Sequence, residues 1–157
     1  MFTGIIEELG IIKNINDTET GKEFIIQAKI VTDNMKIGDS LAVNGVCLTL
    51  VDLKNNKLKL ELVKETLSRS NLGEIIVDDK VNLERAMTLT TRIGGHLLQG
   101  HVETTAIIID KQHLGESSNI VVGVNPEWIR YCIRKGSIAL DGISLTITDI
   151  VDNFISL

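Results

Sequence analysis

The chain has 157 residues, a net charge of −5 and only 3% aromatic residues, and no basic cluster stands out. Nucleic-acid binding needs the opposite balance, with positive charge to follow the phosphates and aromatic rings to stack on bases. No apolar run approaches 18 residues and the N-terminus carries no basic leader, so we expect neither a membrane span nor a secretory signal. Two cysteines without such a signal favour a reduced, cytoplasmic protein.

The first half of the chain predicts a small β-barrel. Ile, Val, Leu and Thr crowd into short runs that Gly, Asn and Asp interrupt, which is typical of antiparallel strands. The predicted strands cover residues 4–14, 24–30, 40–43, 47–54, 57–62 and 80–84. Asn55 and Asn56 join two of them in a tight hairpin, because asparagine tolerates the left-handed backbone. Six short strands fit a closed antiparallel barrel.

Helical signals are few. Residues 66–72 predict a helical turn, and residues 31–36 are a weaker candidate. Residues 126–134 predict a short helix, since Pro126 stands at its first turn and Arg130 and Arg134 lie near its C-terminus, where they suit the helix dipole.

The second half repeats the first. Residues 40–52 recur in closely related form at residues 137–149, an offset of 97, and residues 4–14 recur at 100–110, an offset of 96. The repeat predicts a duplicated module, with an N-terminal domain over residues 1–93 and a C-terminal domain over 94–157. The counterparts of residues 64–73 and 80–84 would lie beyond Leu157, so we expect the second barrel to be incomplete, as in a truncated chain.

The segment Asn44-Gly-Val-Cys-Leu-Thr49 is the first candidate for chemistry. The spacing places Cys47 and Thr49 on the same face of a strand, and the repeat places Ser144 and Thr146 in the same way. A half-polar strand with its hydroxyls in water is the alternative explanation. Retention of the threonine and of the preceding glycine turn in both copies favours two related pockets.

A second candidate is Gly94-Gly-His-Leu-Leu-Gln-Gly-His-Val102. Its two histidines lie five residues apart without a third ligand of matching spacing, which argues against a metal site. Imidazole titrates near neutral pH, so His101 could move a proton. The alternative is a linker followed by a strand histidine in a polar network.

Two further polar sets are weaker candidates. The cluster Lys64, Glu65 and Thr66 could hydrogen-bond a polyol or could form a solvated turn. Ser40 and Ser137 begin equivalent strands and could be ordinary strand-starting residues.

Taken together, these motifs resemble the riboflavin synthase family. The resemblance is carried by Met1-Phe-Thr-Gly-Ile-Ile-Glu7, Asn44-Gly-Val-Cys-Leu-Thr49, Lys64-Glu-Thr-Leu67, Val81-Asn-Leu-Glu-Arg-Ala86, Gly94-Gly-His96, Gly100-His101 and Asp141-Gly-Ile-Ser-Leu-Thr146, in the expected order. It implies two tandem six-stranded Greek-key barrels and a homotrimer assembled by a C-terminal helix. It also implies an enzyme without cofactor or metal that converts two molecules of 6,7-dimethyl-8-ribityllumazine into riboflavin and 5-amino-6-ribitylamino-pyrimidinedione, with lumazine synthase as a further partner.

The resemblance also implies which residues bind substrate. The first pocket would hold the ring beside Gly4, Ile5, Ile6, Cys47, Leu48 and Thr49, and the ribityl chain beside Glu61, Leu62, Val63, Lys64, Glu65 and Thr66. The second pocket would use Gly100, His101, Val102, Ser144, Leu145 and Thr146, and Lys135 would reach the pocket of a neighbouring chain. Ser40, Cys47, His101, Ser144 and Asp141 are the expected catalytic groups, with His101 acting as base through Ser144.

Two other classes of protein share parts of this pattern. One is a non-catalytic lumazine- or flavin-binding antenna protein built on the same duplicated barrel. We expect such a protein to lose the pattern of Gly-Gly-His followed by Gly-His, and also the cysteine of the first copy, and this chain keeps both. The other is a two-barrel interaction protein, which would have no reason to repeat polar groups at equivalent strand positions.

Overall fold

The first half of the chain folds into a closed barrel. The computed structural model describes all 157 residues, and the strand order around this barrel is β1-β2-β5-β4-β3-β6. The strands are β1 (Glu8–Asp17), β2 (Gly21–Gln27), β3 (Ser40–Val43), β4 (Val46–Lys54), β5 (Lys57–Val63) and β6 (Lys80–Arg85). The path from β2 across to β3 and back gives the Greek-key order, so the predicted fold of the first domain is confirmed.

Alternation along the strands builds the core of the barrel. In β5, Leu58, Leu60 and Leu62 point inward and are fully buried, while Lys57 and Glu61 are exposed. The inward residues of the other strands, together with Ala28, Val31, Met35 and Leu72 from the connecting segments, complete a core of 17 buried side chains. Asn55 and Asn56 both have positive φ angles, 53° and 58°, which confirms the tight hairpin between β4 and β5.

The second half forms an open set of strands. These are β7 (Ile107–Leu114), β8 (Ser117–Gly123), β9 (Ser137–Leu140), β10 (Ile143–Thr146), β11 (Asp149–Val151) and β12 (Phe154–Ser156). They make a four-stranded sheet of order β11-β12-β8-β7 and a separate β9-β10 hairpin. No strand joins β7 to β9 as β6 joins β1 to β3, so the second barrel is incomplete, as predicted. Its core has four buried residues, Val122, Val124, Ile147 and Ile155.

The second helix is shorter than the sequence predicted, whereas the first helical region matches its prediction. Helix α1 (Lys64–Arg69) and a 3-10 turn (Asn71–Gly73) occupy the region predicted as a helical turn. Helix α2 (Pro126–Ile129) ends at Ile129, because the following amides of Tyr131 and Cys132 bond to carbonyls three residues back and form tight turns. Residues 31–34 form a turn. No helix of the chain has both the length and the apolar character needed to cross a membrane.

The N-terminal segment is the main departure from the predicted strands. Strand β1 begins at Glu8, although the sequence predicted a strand from residue 4. Gly4 has a φ of 77°, which breaks the extended conformation, and Phe2 forms an antiparallel bridge with Leu98 of the second half. The first residues therefore leave their own barrel.

Candidate functional site

Two equivalent hairpins carry most of the candidate residues. The β3–β4 turn is Asn44-Gly45, with φ angles of 46° and 80°, and the β9–β10 turn is Asp141-Gly142, with 47° and 79°. Both are two-residue turns of the type that asparagine or aspartate followed by glycine favours. The repeat seen in the sequence is thus a repeat of hairpin geometry.

The two hairpins present the same polar row on their outer face. In the first hairpin Ser40 pairs with Thr49, and Ala42 pairs with Cys47. In the second, Ser137 pairs with Thr146, and Ala139 pairs with Ser144. The alternate residues Leu41, Val43, Val46 and Leu48 point into the barrel core. The predicted placement of Cys47 with Thr49, and of Ser144 with Thr146, on one strand face is confirmed.

The two hairpins meet at a local two-fold axis. Gly45 and Gly142 touch: a Cβ atom on either glycine would lie 2.8 Å from the backbone nitrogen of the other. Phe2 and Leu98 exchange backbone hydrogen bonds of 2.8 and 3.0 Å. Each contact joins residues that are equivalent in the two copies, which is the signature of two-fold symmetry.

The segments that precede the two barrels are exchanged across this axis. The Cys47 amide donates to the Gly100 carbonyl at 2.8 Å, and the Ser144 amide donates to the Gly4 carbonyl at 2.9 Å. Val102 packs against the core of the first barrel. The predicted grouping was therefore wrong: Gly100 to Val102 lie with Cys47, and Gly4 lies with Ser144. The cause is the early exit of the N-terminal segment from its own barrel, which local sequence patterns do not reveal.

Strands β4 and β5 of the closed barrel separate at one end, beside Thr49, which leaves a split between them there. Hydrogen-bonded pairing between β4 and β5 stops at Leu50 and Leu60, after a bulge at Val51. Beyond that point β4 pairs with β3 alone, and β5 pairs with β2 alone. Thr49 and Glu61 are exposed on the two sides of this split, while Leu48 and Leu62 close it from inside. The segment from Glu61 to Thr66 continues from β5 into helix α1 and lines this end of the barrel.

Ser144 forms a hydrogen bond with His96, which was not predicted from the sequence as a site residue. His96 Nδ1 lies 2.7 Å from Ser144 Oγ, and the His96 amide donates to the Thr3 carbonyl at 3.0 Å. His101 is exposed and follows Gly100 on the side of the first barrel. Within one chain, the predicted pairing of His101 with Ser144 is therefore not formed. His96 belongs to the Gly-Gly-His motif, but its partner is 48 residues away in the sequence.

A buried carboxylate holds the N-terminal segment in place. Glu84 accepts hydrogen bonds from the Thr3 amide at 2.6 Å, the Thr3 hydroxyl at 2.7 Å and the Gly4 amide at 3.0 Å. It is only 4% exposed. Three donors are what a buried carboxylate needs in place of water. From the sequence, Glu84 was placed at the end of a strand and within the Val81–Ala86 motif, without a role of its own.

Asp141 ties the tip of the second hairpin to the first barrel. Its Oδ1 accepts from Asn71 at 3.0 Å, and its carbonyl accepts from Asn82 at 2.9 Å. Partial burial of the carboxyl raises the pKa of Asp141, and the hydrogen bond from Asn71 opposes that rise. Asn44, its counterpart, accepts from the Asn82 amide at 2.8 Å. These contacts favour a role for Asp141 in joining the two halves.

A cavity of about 750 Å³ opens on the β6 side of Ser40. Among the predicted site residues it touches only Ser40 and Ile5, and its wall also includes Arg85, Thr91 and Arg92. Lys135 lies elsewhere, exposed and with a φ of 65°, and its amide donates to the Ile147 carbonyl. Apart from Lys135, the predicted residues thus lie along the two hairpins and the segments beside them, and the cavity touches them only at Ser40 and Ile5.

The sequence is similar to known proteins along its whole length. The family described as the lumazine binding domain matches residues 3–86 and again residues 99–157. A riboflavin synthase from Schizosaccharomyces pombe is 42% identical over all of this chain and 76% of its own length. One from Actinobacillus pleuropneumoniae is 42% identical over 97% of this chain and 71% of its own length. One from Bacillus subtilis is 37% identical, covering all of this chain and 73% of its own length.

Solved structures agree on the fold. The structure of LumP complexed with riboflavin superposes with a TM-score of 0.92 over all of this chain and 85% of the LumP chain. LumP complexed with 6,7-dimethyl-8-(1'-D-ribityl) lumazine gives 0.89 with the same coverage. Both are 23% identical to this chain, so this likeness concerns the fold.

Proposed function

This chain belongs to the riboflavin synthase family, and we propose that it converts two molecules of 6,7-dimethyl-8-ribityllumazine into riboflavin and 5-amino-6-ribitylamino-pyrimidinedione. One substrate molecule gives up a four-carbon unit and the other accepts it. The reaction joins two copies of one compound, so it needs two related pockets.

The duplicated polar row is the observation that carries this proposal. Ser40, Cys47 and Thr49 recur as Ser137, Ser144 and Thr146 on hairpins related by a two-fold axis. Each row is completed by a segment from the other copy. Holding two rings against each other could supply about 7–11 kcal/mol of barrier lowering through orientation alone. A general binding domain would have no need of a second such row.

We propose two pockets with unequal chemistry. The first is built from Ser40, Cys47, Leu48, Thr49, Gly100, His101 and Val102, with the ribityl chain along Glu61, Leu62, Val63, Lys64, Glu65 and Thr66. The split between β4 and β5 supports this placement, because unpaired strand edges offer backbone donors and acceptors to a heterocycle. Cys47 is a candidate nucleophile and His101 a candidate base.

The second pocket uses Gly4, Ile5, Ile6, Ser144, Leu145 and Thr146. Within one chain the Phe2–Leu98 bridge and the two glycine segments fill the space at the axis, and Phe2 is only 1% exposed. This supports a catalytic site between the first barrel of one chain and the second barrel of a neighbour, as in a homotrimer, with Lys135 reaching across. We place the domain boundary between residues 93 and 94.

The cell compartment and a further partner belong to the same proposal. Both cysteines are free, which suits a cytoplasmic protein.

Association with lumazine synthase would be tested by co-elution of the two purified proteins on a sizing column, and separate elution would remove that part of the proposal.

Incubation with 6,7-dimethyl-8-ribityllumazine tests the function directly. We expect riboflavin fluorescence to appear, with one riboflavin formed for every two substrate molecules consumed. A non-catalytic lumazine-binding protein would bind the compound, seen as quenching or a spectral shift, without turnover. Binding without any consumption of the substrate would therefore overturn the enzymatic proposal. The relatives named above favour the enzyme.

A further inference from the structure

The Ser144 side chain is immobilised on several sides. Its amide donates to the Gly4 carbonyl, and a Cβ atom on Gly4 or on Gly95 would lie 2.6 Å from the Ser144 Cβ. Its hydroxyl is left with one side-chain partner, His96 Nδ1, at 2.7 Å. A serine hydroxyl has a single hydrogen, so this bond decides what Oγ can offer to a neighbouring molecule.

The backbone of His96 is fixed by hydrogen bonds that lead through Thr3 to Glu84. Its amide donates to the Thr3 carbonyl, and the Thr3 amide and hydroxyl donate to buried Glu84. Gly95 is needed for this approach, since a Cβ there would lie 2.2 Å from the Thr3 carbonyl oxygen. The imidazole thus stands on a rigid support and not on a free loop. No hydrogen bond joins a histidine to Cys47, so the arrangement distinguishes the second pocket from the first.

We propose that His96 is a positioning residue for Ser144: its Nδ1 takes the Ser144 hydroxyl hydrogen, and the Oγ lone pairs are thereby turned toward the molecule in the second pocket. The inference rests on the proposed function, because it assigns a role within that pocket. Nothing in it requires His96 to touch the substrate. Ser144 then acts as an acceptor of fixed direction at that pocket.

Substitutions at His96 separate this role from a structural one. Asparagine can place its side-chain oxygen, an acceptor, where Nδ1 stands, whereas leucine keeps bulk and removes the hydrogen bond. We expect His96→Leu to lower kcat about tenfold with little change in KM, as the loss of one orienting hydrogen bond would. We expect His96→Asn to recover most of that loss. In a Ser144→Ala background, His96→Leu should have no further effect.

His113 provides a matched control. Its Nδ1 lies 3.0 Å from Ser118 Oγ, so it forms the same type of pair on the exposed β7–β8 hairpin. His113→Leu should leave kcat unchanged. If His96→Asn is no better than His96→Leu, or if His96→Leu is equally harmful with and without Ser144, the positioning role is wrong.

A second readout does not depend on turnover. The imidazole nitrogen resonances of His96, followed by NMR, should shift when 6,7-dimethyl-8-ribityllumazine occupies the second pocket, and Ser144→Ala should abolish that shift. His113 should not respond. Absence of riboflavin formation by the unmodified protein would count against the proposed function alone. If the imidazole nitrogen resonances of His96 do not shift at saturating lumazine, the inference about His96 is wrong.

Discussion

Cys47 and Ser144 occupy equivalent positions in the two hairpins, so Cys47→Ser is the natural substitution to test the role of the thiol. Cys47 is half-buried, and its fixed contact is the backbone bond from its amide to Gly100. We expect Cys47→Ser to cost no more than about 0.5 kcal/mol of folding stability, as at a site without special packing. If the thiol attacks the substrate ring, kcat should fall at least about tenfold, since a hydroxyl is the weaker nucleophile.

Thermal unfolding and initial rates of riboflavin formation would measure the two effects on the same preparation. Cys132→Ser is a suitable control, because Cys132 is the other free cysteine and lies outside both proposed pockets. A large loss of melting temperature with full activity per folded molecule would show that Cys47 serves only in packing.

Asp141 gives a prediction about pH. Its folded-state pKa lies above the ordinary value of 3.8, so the folded protein holds this proton more tightly than the unfolded chain does. Its favourable contribution is therefore complete below pH 3.8 and is lost as the pH rises through the folded-state pKa. We expect Asp141→Asn to have equal or higher stability at pH 7, with the difference disappearing at acid pH. Asn44 shows that asparagine accepts this turn conformation.

Melting temperatures of both proteins between pH 3 and 8 would measure this difference. Activity should be retained if Asp141 serves to join the hairpins. A fall in kcat at unchanged stability would instead assign the carboxylate to the chemistry, as the family resemblance first implied.

The residues that sequence analysis missed share one property: their partners are distant along the chain. His96 was part of a quoted motif, but its meaning depends on Ser144, and that of Glu84 depends on Thr3. In contrast, the placement of Cys47 with Thr49 depends only on the two-residue period of a strand, and it was predicted correctly.

At the scale of elements, turn chemistry was the best guide. Strand β3 and the Asn55-Asn56 hairpin were predicted at the residues where they occur, because glycine and asparagine at positive φ leave few alternatives. Helix α2 was predicted too long. A helix of one turn gains little from propensity, and packing of Trp128, Ile129 and Cys132 on the second core sets the path instead.

The exchanged segment around Gly100 can be tested with two glycines that share a backbone conformation. Gly100 and Gly115 have φ angles of 81° and 66°. A Cβ on Gly100 would lie 2.6 Å from the Cys47 Cβ, whereas a Cβ on Gly115 would have no atom within 4 Å. Gly115→Ala should therefore lower the stability of the fold only because alanine disfavours this left-handed backbone conformation, by about 1–2 kcal/mol. Gly100→Ala should cost about 1–3 kcal/mol more, because backbone and side chains must move.

Denaturant unfolding would give the two stabilities, and titration with lumazine would show whether the Gly100 variant also loses affinity at the first pocket. Equal costs at both positions would mean that Gly100 does not approach Cys47 closely.

At the scale of the whole molecule, the duplication was visible in the sequence and the exchange between its halves was not. Repeated motifs at offsets of 96 and 97 predicted two related units. Nothing in a repeat says whether a segment packs on its own copy or on the other. The exchange is stabilised by Gly4, Glu84 and the Phe2–Leu98 bridge acting together.

The two units should differ in stability, because one has a closed barrel with 17 buried core residues and the other an open sheet with four. Hydrogen exchange reports local opening, and segments with few buried apolar groups open first. We expect amides of β2 and β5 to exchange most slowly and those of β7 and β9 much faster. Leu58 and Ile155, each 0% exposed, provide matched substitutions, one in each core.

Either change to alanine should remove about 2–5 kcal/mol from its own core. Ile155→Ala should accelerate exchange only in β7 to β12, since the barrel is closed without them. Leu58→Ala should accelerate exchange in both units, because the second hairpin is held by Gly45, Asn71 and Asn82 of the first. Uniform protection across the unmodified chain would mean that the two units do not differ in stability. A loss of protection confined to the first barrel in Leu58→Ala would mean that the second unit does not rely on the barrel for its order.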